Sequence, residues 1–105
     1  LNLNNFSNSG QQYLNNHLNK LLDNYNSMGI PYAFLVCYIN CTKEKFGDYW
    51  SKYCDYLKGC SCGCFLCHFV CEYEQVENYI RCIECNYECG GAFTTVYHIA
   101  VCMND

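Results

Sequence analysis

Apolar residues first recur along the chain at a helical spacing. Leu14, Leu18, Leu21, Leu22 and Tyr25 sit at offsets of four, seven, eight and eleven, which is one stripe of an amphipathic helix. Ser9-Gly10-Gln11-Gln12 reads as a capping box ahead of that stripe. Gly29, suited to the left-handed C′ position, and then Pro31 close it. Residues 1–8 read as a loose arm. Pro31 fits the first turn of a second helix, where its missing N–H costs nothing. Residues 31–46 begin apolar nearly all round, with the longest apolar run at Tyr32 to Ile39, as expected of a helix in the middle of a bundle. Gly47 breaks this run and Asp48 caps a third helix. There Trp50, Tyr53, Cys54 and Leu57 follow at i, i+3, i+4 and i+7 until Gly59.

The next segment is patterned by cysteine. Cys60, Cys64, Cys67 and Cys71 are spaced four, three and four, and Cys82, Cys85 and Cys89 three and four. The gap of eleven between Cys71 and Cys82 is three helical turns, so a helix over 64–89 carries its cysteines on one stripe. Such a helix would be about 39 Å long at about 1.5 Å per residue, so a bend is expected near Glu74 to Asn78. Glu77 and Arg81 are placed for an i,i+4 pair, and Gly90-Gly91 ends the segment. In residues 93–102, Thr94, Thr95, Val96, Tyr97 and Ile99 favour a strand. Phe93, Val96, Tyr97, Ala100 and Val101 also make a helical stripe. A lone strand would lack a partner, so the reading leans to helix. The expected fold is therefore all-α: one domain over residues 1–105, a small disulfide-rich bundle of four to five helices.

Composition supplies the reason for the cysteines. A chain of 105 residues buries a limited core, and 12 cysteines point to a disulfide scaffold made in an oxidising compartment. The expected half-cystines are Cys37, Cys41, Cys54, Cys60, Cys62, Cys64, Cys67, Cys71, Cys82, Cys85, Cys89 and Cys102, with connectivity left open. The rival reading is zinc, held by Cys64-x-x-Cys67 and Cys82-x-x-Cys85 with His68 and His98 at hand. Zinc hooks sit on tight knuckles, whereas here the spacing continues as helix, so disulfides are favoured and no metal or cofactor is expected. The chain opens on Leu1 and is read as a mature, secreted form whose targeting segment has been removed. Asn5 and Asn40 stand in glycosylation acceptor motifs of little weight.

The net charge of −4, with six Lys and Arg, argues against nucleic acid and anionic membranes, and no run is long enough for membrane insertion. His17, His68 and His98 have no local nucleophile and acid arranged for catalysis, so no enzyme is expected. Tyr49, Trp50, Tyr53 and Tyr56 crowd one short helix. Tyr and Trp are enriched where proteins grip partners, so these four are the candidate receptor-binding residues. Packed inward instead, they would form core over the disulfides.

The stretch from Asp48-Tyr49-Trp50 through Tyr53-Cys54 to Cys62-Gly63-Cys64-Phe65-Leu66-Cys67 resembles the middle of mating pheromones of Euplotes ciliates. That resemblance implies a small, acidic, secreted helical bundle. It would act as a water-borne signal, binding a cell-surface receptor protein and self-associating as a homo-oligomer. The chain is longer than the small members, has more cysteines and adds a Cys-free, Asn-rich front. The alternatives are a secreted effector or toxin acting on a host target and, with less support, a small secreted hydrolase.

Overall fold

The computed structural model describes residues 2–3, 8–29, 31–58, 61–62, 65–73, 77 and 79–103. It overturns the all-α expectation. Two helices, α1 (Asn8–Ser27) and α2 (Lys43–Lys58), pack on a mixed sheet. The strands are β1 (Asn2–Leu3), β2 (Tyr32–Ile39), β3 (Ser61–Cys62), β4 (Phe65–Glu72), β5 (Ile80–Cys89) and β6 (Ala92–Cys102). They lie in the order β1-β2-β6-β5-β4-β3. β1 and β6 run parallel to β2, and β3 to β6 form an antiparallel meander.

The first helix is as its pattern dictates. Leu14, Leu18 and Leu22 are fully buried, with Leu21 and Tyr25 packed against the same core. Gly29 takes a positive φ of 70° just past the end. The Gln12 amide of the expected capping box reaches Asn16 Oδ1 at 3.5 Å. α2 begins five residues before Asp48 and runs through Gly47. Glu44 in its first turn and Lys58 in its last suit the helix dipole. Asp48 lies inside the helix and pairs with Lys52 at 3.3 Å, an exposed i,i+4 contact of small energetic weight.

Three expected helices are strands. Tyr32–Ile39 alternates between exposed and buried positions, which only a period of two produces. The cysteine-striped segment is the β4–β5 pair. Glu77 and Arg81 flank a turn, where Arg81 Nη1 donates to the Glu77 carbonyl at 3.2 Å. Gly90 and Gly91 have φ of 59° and 87° between the paired Cys89 and Ala92. Two successive positive-φ residues make the type I′ turn whose twist suits a two-residue hairpin. β6 was expected to lack a partner, yet it pairs with β2 on one side and β5 on the other.

Both helices cover one face of the sheet. Ala33, Leu35, Cys37 and Ile39 of β2 point to it, as do Val96, His98, Ala100 and Cys102 of β6 and Ile83, Cys85 and Tyr87 of β5. Tyr56 Oη ties the helices together by donating to the Gln11 carbonyl at 3.5 Å.

Candidate functional site

The other face of the sheet stays open. Register places Tyr38 beside Val101 and Ile80, Val36 beside Ile99 and Cys82, Phe34 beside Tyr97 and Glu84, and Tyr32 beside Thr95 and Asn86. Phe34 is 64% exposed and Tyr32 59%, and Tyr38, Tyr73 and Phe93 are exposed as well. Phe34 and Tyr97 stack with ring centroids 5.2 Å apart, and Tyr73 approaches Tyr97 at 6.5 Å. The charges on this face are acidic. Glu84 accepts from Tyr73 Oη at 2.6 Å, and Glu88 meets His68 Nε2 at 3.2 Å. Among the described residues, these outer rows contain no Lys or Arg.

The aromatic residues expected to bind a receptor are elsewhere. Tyr49, Trp50 and Tyr53 are core, with Trp50 4% and Tyr53 0% exposed, and Tyr56 is half-buried between the helices. One face of α2 carries all the bulk needed to cover the sheet, so these rings turn inward. A signal for the true surface was present in β2. Its even positions are Tyr32, Phe34, Val36 and Tyr38, and its odd ones Ala33, Leu35, Cys37 and Ile39. Large rings and compact side chains segregate with a period of two.

A second constellation lies in the core. His98 is fully buried on β6. Its Nδ1 meets Tyr53 Oη at 2.8 Å and its Nε2 meets Tyr87 Oη at 2.9 Å. Tyr53 Oη also meets Cys37 Sγ at 3.3 Å, and Tyr87 hydrogen bonds to Cys67 and Cys85. The chain Cys37–Tyr53–His98–Tyr87–Cys67 thus crosses the interior from β2 through α2, β6 and β5 to β4. Every buried polar group in it finds a partner, as burial demands. Burial pulls the His98 pKa down from 6.5 to about 3, so the ring is neutral. Burial also pushes the Cys37 thiol up to about 11 and raises the Tyr53 phenol further.

The cysteines divide sharply. Cys37, Cys41, Cys54, Cys67, Cys71, Cys82, Cys85 and Cys102 are free thiols in the structure, where half-cystines were expected. Cys89 is disulfide-bonded. Cys60 and Cys64, and the side chain of Cys62, lie outside the described residues. Strand geometry scatters the single stripe. Cys82 and Cys85 are three apart and face opposite sides of β5. Cys67 and Cys71, four apart, would share a side but for the bulge between Phe69 and Cys71. The Cys82-x-x-Cys85 zinc hook therefore does not assemble, and Cys64 of the other hook is outside the described residues. His68 is exposed on β4 beside Glu88, and His17 stacks edge-on with Tyr13 at 5.4 Å.

Three thiol pairs are neighbours. Cys102 Sγ donates to the Cys41 carbonyl at 3.1 Å, and the two thiols interact. Cys71, opposite Glu84, and Cys82 are diagonal neighbours on the open side of the sheet. Cys67 and Cys85 hydrogen bond on the helix side. Burial, reinforced by Cys102, raises Cys41 to about 11, and burial raises Cys82. Burial beside Glu72, whose Oε1 is 3.9 Å from the sulfur, raises Cys54 to about 12. Cys67 alone moves down, to about 7, because Cys85 and then Tyr87 donate to its sulfur against the cost of burial.

No protein-family model matches the chain, and neither a curated protein nor a solved structure shows significant similarity to it.

Proposed function

We propose that this chain is a secreted, non-catalytic signalling protein that binds a cell-surface receptor through the open aromatic face of its sheet. The observation that carries the reading is the row of exposed rings on β2, packed sideways on Tyr97 and uncovered by either helix. Soluble proteins seldom leave so large a contiguous apolar face to water without a partner for it. Eight residues of β2 span roughly 26 Å and four full strands roughly 19 Å, on the order of 500 Å² in plan. The accessible surface of the protruding rings is larger, which approaches the ~800 Å² per partner of a standard interface.

Charge selects the partner. Two copies stacked face to face would bring acidic residues together, whereas a receptor with an apolar centre and basic rim complements Glu84 and Glu88. The reading of secretion rests on cysteine content, 12 in 105 residues, which suits an oxidising compartment. The pheromone resemblance implied a helical bundle. The sheet removes that part, and only the receptor-binding role is retained.

The test is saturable binding of fluorescently labelled protein to intact cells of the source organism. Phe34→Asp weakens binding by about 30-fold or more, the scale of a hot-spot residue, and leaves the thermal midpoint within a few degrees of wild type. Asp23→Ala on the exposed side of α1 leaves binding unchanged. Equal affinity for Phe34→Asp and wild type would sink the proposal, as would concentration-dependent dimerisation in sedimentation that Phe34→Asp abolishes.

A further inference from the structure

We infer that Cys67 and Cys85 form a thiol–disulfide exchange site, in which Cys67 attacks an incoming disulfide and Cys85 resolves the product. The pair sits on the helix side of the β4–β5 ladder. Cys67 is opposite Tyr87, and Cys85 lies one diagonal step away, opposite Phe69. Cys67 is partly exposed, while Cys85 is fully buried beneath it. Cys67 is therefore the residue of the pair that meets solvent, and Cys85 is reachable only from within the protein. That is the division of labour an attacking and a resolving cysteine require.

The surroundings stabilise charge on the outer sulfur. The Cys85 S–H and the Tyr87 O–H donate to Cys67, and His68 next in sequence adds a favourable field when protonated. Cys54 on α2 interacts with Cys85 and works to keep the inner thiol protonated. Behind Tyr87 stands neutral His98, whose Nε2 meets the same phenol at 2.9 Å. With Tyr87 donating its one proton to Cys67, its oxygen must accept from His98 Nε2–H. Nδ1 then accepts from Tyr53, and Tyr53 from the Cys37 thiol. The ionised outer sulfur thus orders the whole relay in one direction.

The steps balance. The Cys67 thiolate attacks one sulfur of a small disulfide such as oxidised glutathione, forming a mixed disulfide and releasing a glutathione thiolate. The Cys85 sulfur then attacks Cys67, the second glutathione leaves, and it takes up the Cys85 proton. Two electrons pass from the protein dithiol to the reagent. Diagonal positions in an antiparallel pair have Cα atoms about 7–8 Å apart, beyond the ~6.8 Å that an unstrained cystine spans. Closing the bond pulls the strands together, and the strain keeps it reducible, unlike a structural staple.

The test uses the full, reduced chain with oxidised glutathione as probe. Limited alkylation at pH 7 followed by peptide mapping labels Cys67 at least tenfold faster than Cys37, Cys41, Cys54, Cys71, Cys82, Cys85 or Cys102. Oxidised glutathione converts the wild type to a Cys67–Cys85 cystine without retained adduct. Cys85→Ser retains one glutathione on Cys67, and millimolar dithiothreitol reverses both products. Faster labelling of any other of those seven thiols overturns the inference. So does a wild-type cystine joining Cys67 to a different residue, a result that needs no variant to fold.

Discussion

His98 makes the stability of this protein depend on pH in a calculable way. The ring is buried and neutral, with a folded pKa of about 3 against 6.5 when free. Its folded pKa is depressed, so the unfolded chain binds the proton more tightly. The contribution is complete above pH 6.5 and is lost as pH falls from 6.5 toward 3. At about 1.36 kcal/mol per pH unit, the whole window is worth about 5 kcal/mol, and the fall from pH 6.5 to 4.5 about 3 kcal/mol. Those are large fractions of the ~5–15 kcal/mol that holds a domain together. Carboxylates also titrate in this range, so the measurement is a difference. Urea unfolding of wild type and His98→Gln at pH 7.5, 6.5, 5.5 and 4.5 isolates the histidine. The variant starts about 2–4 kcal/mol less stable, from broken hydrogen bonds to Tyr53 and Tyr87 and imperfect packing. The gap then narrows by about 3 kcal/mol between pH 6.5 and 4.5. In the wild type, the His98 ring resonances stay fixed down to pH 4.5. Parallel stability curves, or a His98 midpoint near 6.5, would refute the buried-neutral assignment.

Trp50→Ala costs about 3–5 kcal/mol in urea unfolding, because the ring is core and stacks on Tyr53 at 5.2 Å. If Trp50 were a surface contact, that variant would lose partner binding at unchanged stability. Gly90→Val and Gly91→Val each destabilise by about 1–2 kcal/mol or more, since a branched residue is forced to positive φ, and hydrogen exchange quickens first along β5 and β6. Gly47→Ala does the reverse. An added Cβ there meets no atom within 4 Å, and the helix interior gains about 1 kcal/mol, read as a higher urea midpoint.

The two helices were legible because each carries its own evidence. Leu14, Leu18 and Leu22 recur with the helix period, and so do Trp50, Tyr53, Cys54 and Leu57, whatever lies elsewhere in the chain. A sheet has no such autonomy. β6 has strong strand formers in Thr94, Thr95, Val96 and Tyr97. It reads as helix only if β2, β4 and β5 are first read as helices, leaving it without a neighbour. One misread segment therefore carried the others with it. Gly90-Gly91 held the correction: a two-residue glycine loop between runs of β-branched and aromatic residues marks a hairpin as well as it marks a helix end.

The site was harder to read because cysteine spacing is ambiguous between the two periods. Offsets of three and four lie on one helix face, yet in a strand an offset of three changes sides and an offset of four does not. Cys82, Cys85 and Cys89 show the rule, with Cys82 on the open side and the other two on the helix side. Cys67 and Cys71 break it, because a bulge after Phe69 reverses the parity. Nothing in Phe69-Val70-Cys71 announces that bulge. Its consequence is that β4 presents one thiol to Cys85 inside and another to Cys82 outside, so neighbouring cysteines acquire unlike chemistry. Buried Tyr87 lies beside the inner pair and can donate to Cys67, while on the outer side Glu84 opposes ionisation of Cys82. Val70 is the unpaired residue of that bulge, and deleting it leaves Phe69 opposite Cys85 and Cys71 opposite Glu84, so the register predicts that Cys71 stays on the open side and that Cys67 keeps its preferential reactivity. Loss of the preferential labelling of Cys67 in that deletion, with the fold intact by circular dichroism, would show that the strand register does not set the difference.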